Sequence, residues 1–171
     1  MTILTVLRHA KSSWGDPEVT DFDRPLNHRG RKAAKAVGEE LRRRHVRFDH
    51  VFASPALRVR QTIDLLAKGL GTDLDVTFNE TIYENELDGL FRLVRSIPET
   101  AHAPLLVGHN PGLQQLVLKL THDDDQSLRE RVQDKFPTAA VAVIKLAADR
   151  WTEVESASGE IAELILPKEL D

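Results

Sequence analysis

A chain of 171 residues, 41% apolar and 29% charged, has the size and composition of one soluble domain with a single core. Its 23 Lys and Arg against 27 Asp and Glu leave a formal charge of −4, without the basic footprint that a nucleic-acid binder or a membrane-surface protein needs. It has no cysteine, which excludes thiolate nucleophiles, Cys-ligated zinc, iron–sulfur clusters and disulfides.

The apolar, β-branched run at residues 3–7 predicts a strand buried on both faces. The charge at Arg8 ends it too early for a signal segment or a membrane span, so a cytoplasmic location is expected. Residues 10–27, with two prolines and scattered charges, read as a loop. Ala33, Val37 and Leu41 then fall at helical spacing between about 28 and 45. Val51-Phe52-Ala53 is a second short strand, and Val59, Ile63, Leu66 and Leu70 stripe a helix that ends near Gly69 and Gly71. The alternation Leu74, Val76, Phe78 predicts a third strand, and Leu87, Leu90, Phe91, Val94 and Ile97 a helix that stops before Pro98. Leu105-Leu106-Val107 is a fourth buried strand, and Pro111 opens a helix carrying Leu113, Leu116, Val117 and Leu120. The tail reads as strands at 139–146, 151–155 and 161–166. The expected fold is therefore α/β: one three-layer domain over residues 1–171, a mostly parallel central sheet with helices on both faces, and C-terminal strands antiparallel at the edge.

In such sheets ligands bind beyond the carboxyl ends of the strands, so the residues there carry the chemistry. Arg8 and His9 follow the first strand, Ser54 and Arg58 the second, Glu80 and Glu84 the third, and His109 the fourth. Arginine forks match phosphoryl oxygens two at a time, and histidine can attack phosphorus or carry a proton. The helix at Pro111 could add its positive end. Taken together these residues suggest a phosphate-handling enzyme. Taken singly, each has a plainer reading as a strand-end charge, a helix surface residue or turn chemistry.

The motifs resemble those of the histidine phosphatase superfamily, the phosphoglycerate-mutase-like enzymes. Arg8-His9-Ala10 is similar to the family's Arg-His-Gly signature, and the segment Ser54 to Thr62 to its Ser-Pro-x-x-Arg-Ala-x-Gln-Thr stretch. Val107-Gly108-His109-Asn110-Pro111 resembles its second histidine motif. The runs Arg8 to Trp14 and Asp23 to Gly30, with Tyr83-Glu84, Phe136 to Ala140 and Trp151, look like the SixA-type branch of protein phosphohistidine phosphatases.

The resemblance implies that His9 is the nucleophile, forming a phosphohistidine that water hydrolyses, with its other ring nitrogen held by a backbone carbonyl. Arg8, Arg58 and His109 then form the phosphate pocket. Glu80 best matches the glutamate that protonates the leaving oxygen in mutase-like members, with Glu84, one turn on, as the alternative. Arg24 is expected to brace the site, and Ser13 and Lys11 lie near enough in sequence to touch substrate. No cofactor and no metal are expected, since arginines supply the charge. His122 with Asp123 to Asp125 reads as a solvated acidic loop rather than an ion site. Ala10 departs from the family's glycine in the manner of the SixA-type branch. The fifty or so residues between Ser54 and Leu105 leave little room for the lids that enclose small substrates. The implied substrate is a phosphorylated protein, such as a histidine phosphotransfer domain. The rivals are a phosphatase for a small phosphomonoester such as a sugar phosphate, a catalytically silent phosphoprotein-binding module, and a mutase.

Overall fold

Two-faced burial dictates the centre of the sheet. In β1 (Thr2–Arg8) Leu4 and Val6 enter one hydrophobic cluster and Leu7 the other, following the period-two alternation of a strand. β4 (Pro104–Gly108) divides likewise, with Leu106 on the first side and Leu105 and Val107 on the second. The computed structural model describes residues 1–122 and 127–170. Its sheet runs β3-β2-β4-β1-β5-β6, with β2 (His50–Ala53), β3 (Val76–Phe78), β5 (Val141–Leu146) and β6 (Gly159–Ile165). The first four strands in that order pair in parallel. β5 is antiparallel to both β1 and β6, so the C-terminal strands close the sheet at its edge as expected.

α1 (His28–Arg43) and α2 (Leu57–Leu70) cover one face through Val37, Leu41, Val59, Ile63 and Leu66. α4 (Leu87–Arg95) and α5 (Gly112–Leu120) cover the other through Leu90, Val94, Leu113, Leu116 and Val117. The neighbours β1 and β4 are thus followed by helices on opposite faces. The chain leaves the paired carboxyl ends of the two strands toward opposite faces, which makes this edge a topological switch point. None of the described helices is long and apolar enough to cross a membrane.

α1 and α2 approach closely because each presents a glycine to the other's backbone. A Cβ on Gly38 would stand 2.4 Å from the Leu66 carbonyl oxygen, and one on Gly69 would stand 2.3 Å from that of Lys35. Backbone cannot swing aside as a side chain can. Gly38→Ala is therefore expected to lower stability by about 1–3 kcal/mol, the usual range for overpacking, read as a reduced urea midpoint at unchanged slope.

The structure departs from the sequence reading in four places. Residues 151–155 are not a strand. Trp151–Glu153 forms a 3-10 turn in which Trp151 is buried and donates Nε1–H to the Ala101 carbonyl at 3.0 Å. Trp151 and Val154, three apart, both enter the core from this turn, which strand alternation would not allow. The third strand shrinks to Val76–Phe78 at the sheet edge, and Phe78 is exposed. α3 (Glu80–Glu84) and α6 (Ser127–Asp134) are additional helices. α3 is started by Asn79, whose side chain accepts from the Thr81 N–H. Asp123 to Asp125 lie outside the described residues.

Candidate active site

The end of β1 is fixed through its own backbone groups. The His9 N–H reaches the Gly108 carbonyl of β4 at 3.0 Å, and the Ala139 N–H reaches the carbonyls of Arg8 and His9. The buried His9 ring directs Nδ1 to its neighbour's carbonyl, Ala10 O, at 2.7 Å. A carbonyl only accepts, so Nδ1 carries the proton and Nε2 keeps its lone pair. Nε2 has no hydrogen-bond partner among the described residues. The Ala10 N–H is held at 3.0 Å by Thr62 Oγ1, whose hydroxyl donates to the Arg58 carbonyl, so α2 braces the loop that carries His9. Burial, followed by the charges of Arg58, Arg8 and Arg24, pushes the His9 imidazolium down to about 4, against only the Ala10 bond favouring it.

The buried His109, at the end of β4, is neutral for related reasons. Burial first, then His9 and Arg58, push it down to about 3. Arg58 Nη2 lies 3.3 Å from Nδ1 and can only donate, so Nε2 bears the proton and donates to the buried Ser54 Oγ at 2.7 Å. The two imidazoles lie 5.2 Å apart between centroids. Both folded values lie below the ordinary 6.5, so the unfolded chain takes up protons first as pH falls. The stability contribution is full above about pH 6.5 and declines towards pH 3. We expect the urea midpoint of the wild type to fall more between pH 6.5 and 4 than that of His109→Asn; equal falls would contradict neutral burial of His109.

The two buried-side arginines differ in what remains available. Arg8 donates Nη1 to the Phe136 carbonyl at 3.1 Å, and its Nε–Nη2 edge, the fork that can take two oxygens, has no partner among the described residues. Arg58 is already held: Nη1 donates to the Asp21 carbonyl at 2.7 Å and Nη2 to its carboxylate at 3.2 Å, while Nε is buried and unpartnered. Asp21 also accepts from the Tyr83 hydroxyl at 2.8 Å and from Arg24 Nε at 3.2 Å. Partial burial pushes the Asp21 carboxyl up, but the Tyr83 bond, Arg58 and Arg24 outweigh it and hold it below its usual range.

Arg24 braces the entry loop, as its sequence position suggests. It donates to Ser12 Oγ at 2.6 Å and stacks 3.6 Å over Trp14, which is 78% exposed. These groups wall a cleft of about 830 Å³ with Arg8, His9, Arg58 and His109 in its floor. Lys11, Glu84 and Lys135 also line it. Glu80 and Ser13 do not: Glu80 is exposed at the first position of α3, and Ser13 contributes its backbone carbonyl to Arg24. The α5 end offers less than its sequence suggests. The Gly112 N–H is taken by Asn85 Oδ1, and the Leu113 and Gln114 N–H groups by the His109 carbonyl and Asn110 Oδ1. Among the described residues no group of three or more His, Asp or Glu is placed to hold a metal ion.

Asp21 is the residue that sequence reasoning missed. The only signal was Asp21 and Arg24 three apart, which alone reads as a surface pair.

A sequence model described as the histidine phosphatase superfamily (branch 1) matches residues 4–91. An uncharacterized protein of Mycobacterium leprae is 31% identical over 95% of this chain and 100% of its own length. A fructose-2,6-bisphosphatase TIGAR of Xenopus tropicalis is 30% identical over 48% of this chain and 31% of its own. Among solved structures, a putative phosphohistidine phosphatase SixA from Nakamurella multipartitia superposes with a TM-score of 0.82 at 26% identity, covering 97% of this chain and 96% of its own. Another from Agrobacterium tumefaciens gives 0.80 at 25% identity, covering 97% and 98%.

Proposed function

The chain belongs to the histidine phosphatase superfamily, and from that premise we propose that it is a phosphatase working through phosphorylation of His9, with phosphohistidine on a protein as its substrate. The observation that carries this reading is the His9 ring. Its Nδ1 proton is committed to Ala10 O, and its Nε2 lone pair is available in a cleft floored by two arginines.

The chemistry follows from these positions. Nε2 attacks phosphorus, the new N–P bond forms as the bond to the leaving group breaks, and the ring's developing positive charge is shared through Nδ1–H with the Ala10 carbonyl. The Nε–Nη2 edge of Arg8 takes two phosphoryl oxygens, and Arg58 adds its charge where negative charge spreads in the transition state. An incoming oxygen takes the Nε2–H of His109 from Ser54 or the Nη2–H of Arg58 from His109, exchanging a neutral acceptor for an anionic one. Water then attacks the phosphohistidine and gives a proton to the Glu84 carboxylate in the cleft, the N–P bond breaks, phosphate departs and His9 returns neutral. Arginines supply the charge a metal would otherwise give, so the reaction is read as metal-independent.

We assign the leaving-group proton to Glu84, because it lines the cleft and Glu80 does not. An imidazole leaves far more readily than an alkoxide and needs that proton less. Glu84→Gln is accordingly expected to cut the rate on an alkyl phosphate about a hundredfold, the scale of general acid catalysis, and the rate on phosphohistidine much less. Glu80→Gln is expected to change neither. An equal loss on both substrates, or a loss with Glu80→Gln, would contradict the assignment.

The cleft is open, and its exposed Trp14 rim suits a protein surface better than an enclosed metabolite. The partial likeness to a fructose-2,6-bisphosphatase keeps a small phosphomonoester as the second reading. Phosphate release in excess EDTA, from a histidine-phosphorylated protein and from a sugar phosphate at matched concentrations, decides between them. The expected result is preferential release from the protein; preference for the sugar phosphate moves the substrate to the second reading.

A further inference from the structure

The catalytic cleft does not end at its own rim. A second depression of about 530 Å³ shares Lys11, Lys135, Pro137 and Thr138 with it and extends to Arg29, Arg131 and Lys168. These cations come from four separate parts of the chain: the loop after β1, the first turn of α1, α6 with the residue that follows it, and a 3-10 turn at Pro167–Glu169. Arg131 is paired with Glu169, whereas Lys11, Arg29, Lys135 and Lys168 have no ion-pair partner among the described residues. Among the described residues Asp134 is the one acid lining the depression. On a protein of formal charge −4, four unpaired cations along one groove that leads to the nucleophile form a local positive field.

We infer that this groove is a docking surface for an acidic stretch of polypeptide, the one surrounding the phosphorylated side chain of the substrate. The inference rests on the protein-substrate reading above. All four cations are exposed. Exposed lysines act through the field at long range, steering a charged surface, whereas a small anion is gripped by buried, directional donors such as those in the catalytic floor. The groove adds specificity and encounter rate without touching phosphorus.

Arg29 and Lys168 line this second depression and not the catalytic cleft, so they test it without disturbing the catalytic cleft. A glutamate at 29 also suits the positive end of α1, where no acid now stands in the first turn. The probe is a fluorescein-labelled decapeptide of glutamate, followed by anisotropy at 50 and 300 mM salt. We expect the double variant Arg29→Glu/Lys168→Glu to bind it about tenfold or more weakly than the wild type at low salt, and Asp134→Lys to bind it more tightly. The differences should close at high salt. The opposite direction of the Asp134 variant guards against misfolding as the cause.

On a histidine-phosphorylated protein with acidic residues around the site, kcat/KM should fall about tenfold in the double variant, and the rate on phosphoimidazole should stay unchanged. Absence of peptide binding, equal binding by all three proteins, or equal loss on both substrates would overturn the inference. So would a dependence on Arg29 and Lys168 seen with inorganic tripolyphosphate and not with the peptide, which would make the groove a second phosphate subsite. If the peptide results hold and wild type releases no phosphate from the phosphoprotein, the substrate reading fails and the docking groove stands.

Discussion

His9→Asn is expected to reduce phosphate release about a thousandfold or more while leaving the urea midpoint near that of the wild type. The loss is large because, in the mechanism proposed, His9 is the group through which the phosphoryl passes; arginines and cleft shape alone retain only the part of catalysis that comes from binding. Stability should change little, because the bonds that fix this loop run through the backbone. The His9 N–H on Gly108, the Ala139 N–H on the Arg8 and His9 carbonyls, and the Ala10 N–H on Thr62 are all kept in the variant. Retention of more than a tenth of the wild-type rate would remove His9 from its role.

Arg58→Ala carries the second large effect. This guanidinium does two things at once: it places charge beside both histidines, and it ties Asp21 to His109. Losing one preorganised donor to a transition-state anion costs about 2.7–4 kcal/mol, or a hundredfold to a thousandfold in kcat. Without its charge the His9 imidazolium is less disfavoured, so the His9 titration should also move upward from about 4. Arg58→Lys should recover only part of the rate. An ammonium is a point charge and cannot hold the Asp21 carbonyl, the Asp21 carboxylate and His109 Nδ1 from one planar fork. Full recovery by lysine would show that charge alone matters. NMR titration of the ring protons in each variant separates the two contributions.

The sheet was legible because its strands are short apolar runs closed by punctuation. Residues 3–7 end at Arg8, and Val51 to Ala53 end at Ser54-Pro55. Strand ends put chemistry at one edge by topology, so Arg8, His9, Arg58 and His109 could be grouped before any side chain was placed, and the structure brings all four into one cleft. What was not legible depends on contacts distant in sequence. Asp21 acquires its place only when the loop after β1 folds back over α2 and α3, bringing Arg58 and Tyr83 to it, 37 and 62 residues away. Glu80 and Glu84 sit one turn apart, and spacing cannot say which of them turns into the cleft. Trp151 reads as a strand residue beside Val154 until Ala101 and Glu99 are seen to receive it. The docking groove was invisible for the same reason, since Arg29, Lys135 and Lys168 meet only in the folded chain.

In the mechanism proposed, the phosphoryl group passes through His9 Nε2. The most direct test mixes excess enzyme with a histidine-phosphorylated protein, quenches in alkali within milliseconds to preserve the acid-labile N–P bond, and maps the phosphate by mass spectrometry. The expected result is a transient phosphopeptide carrying the group on His9, formed before free phosphate and absent from His9→Asn. Phosphate appearing at the wild-type rate with no phosphorylated His9, or with the group on His109 instead, would contradict it.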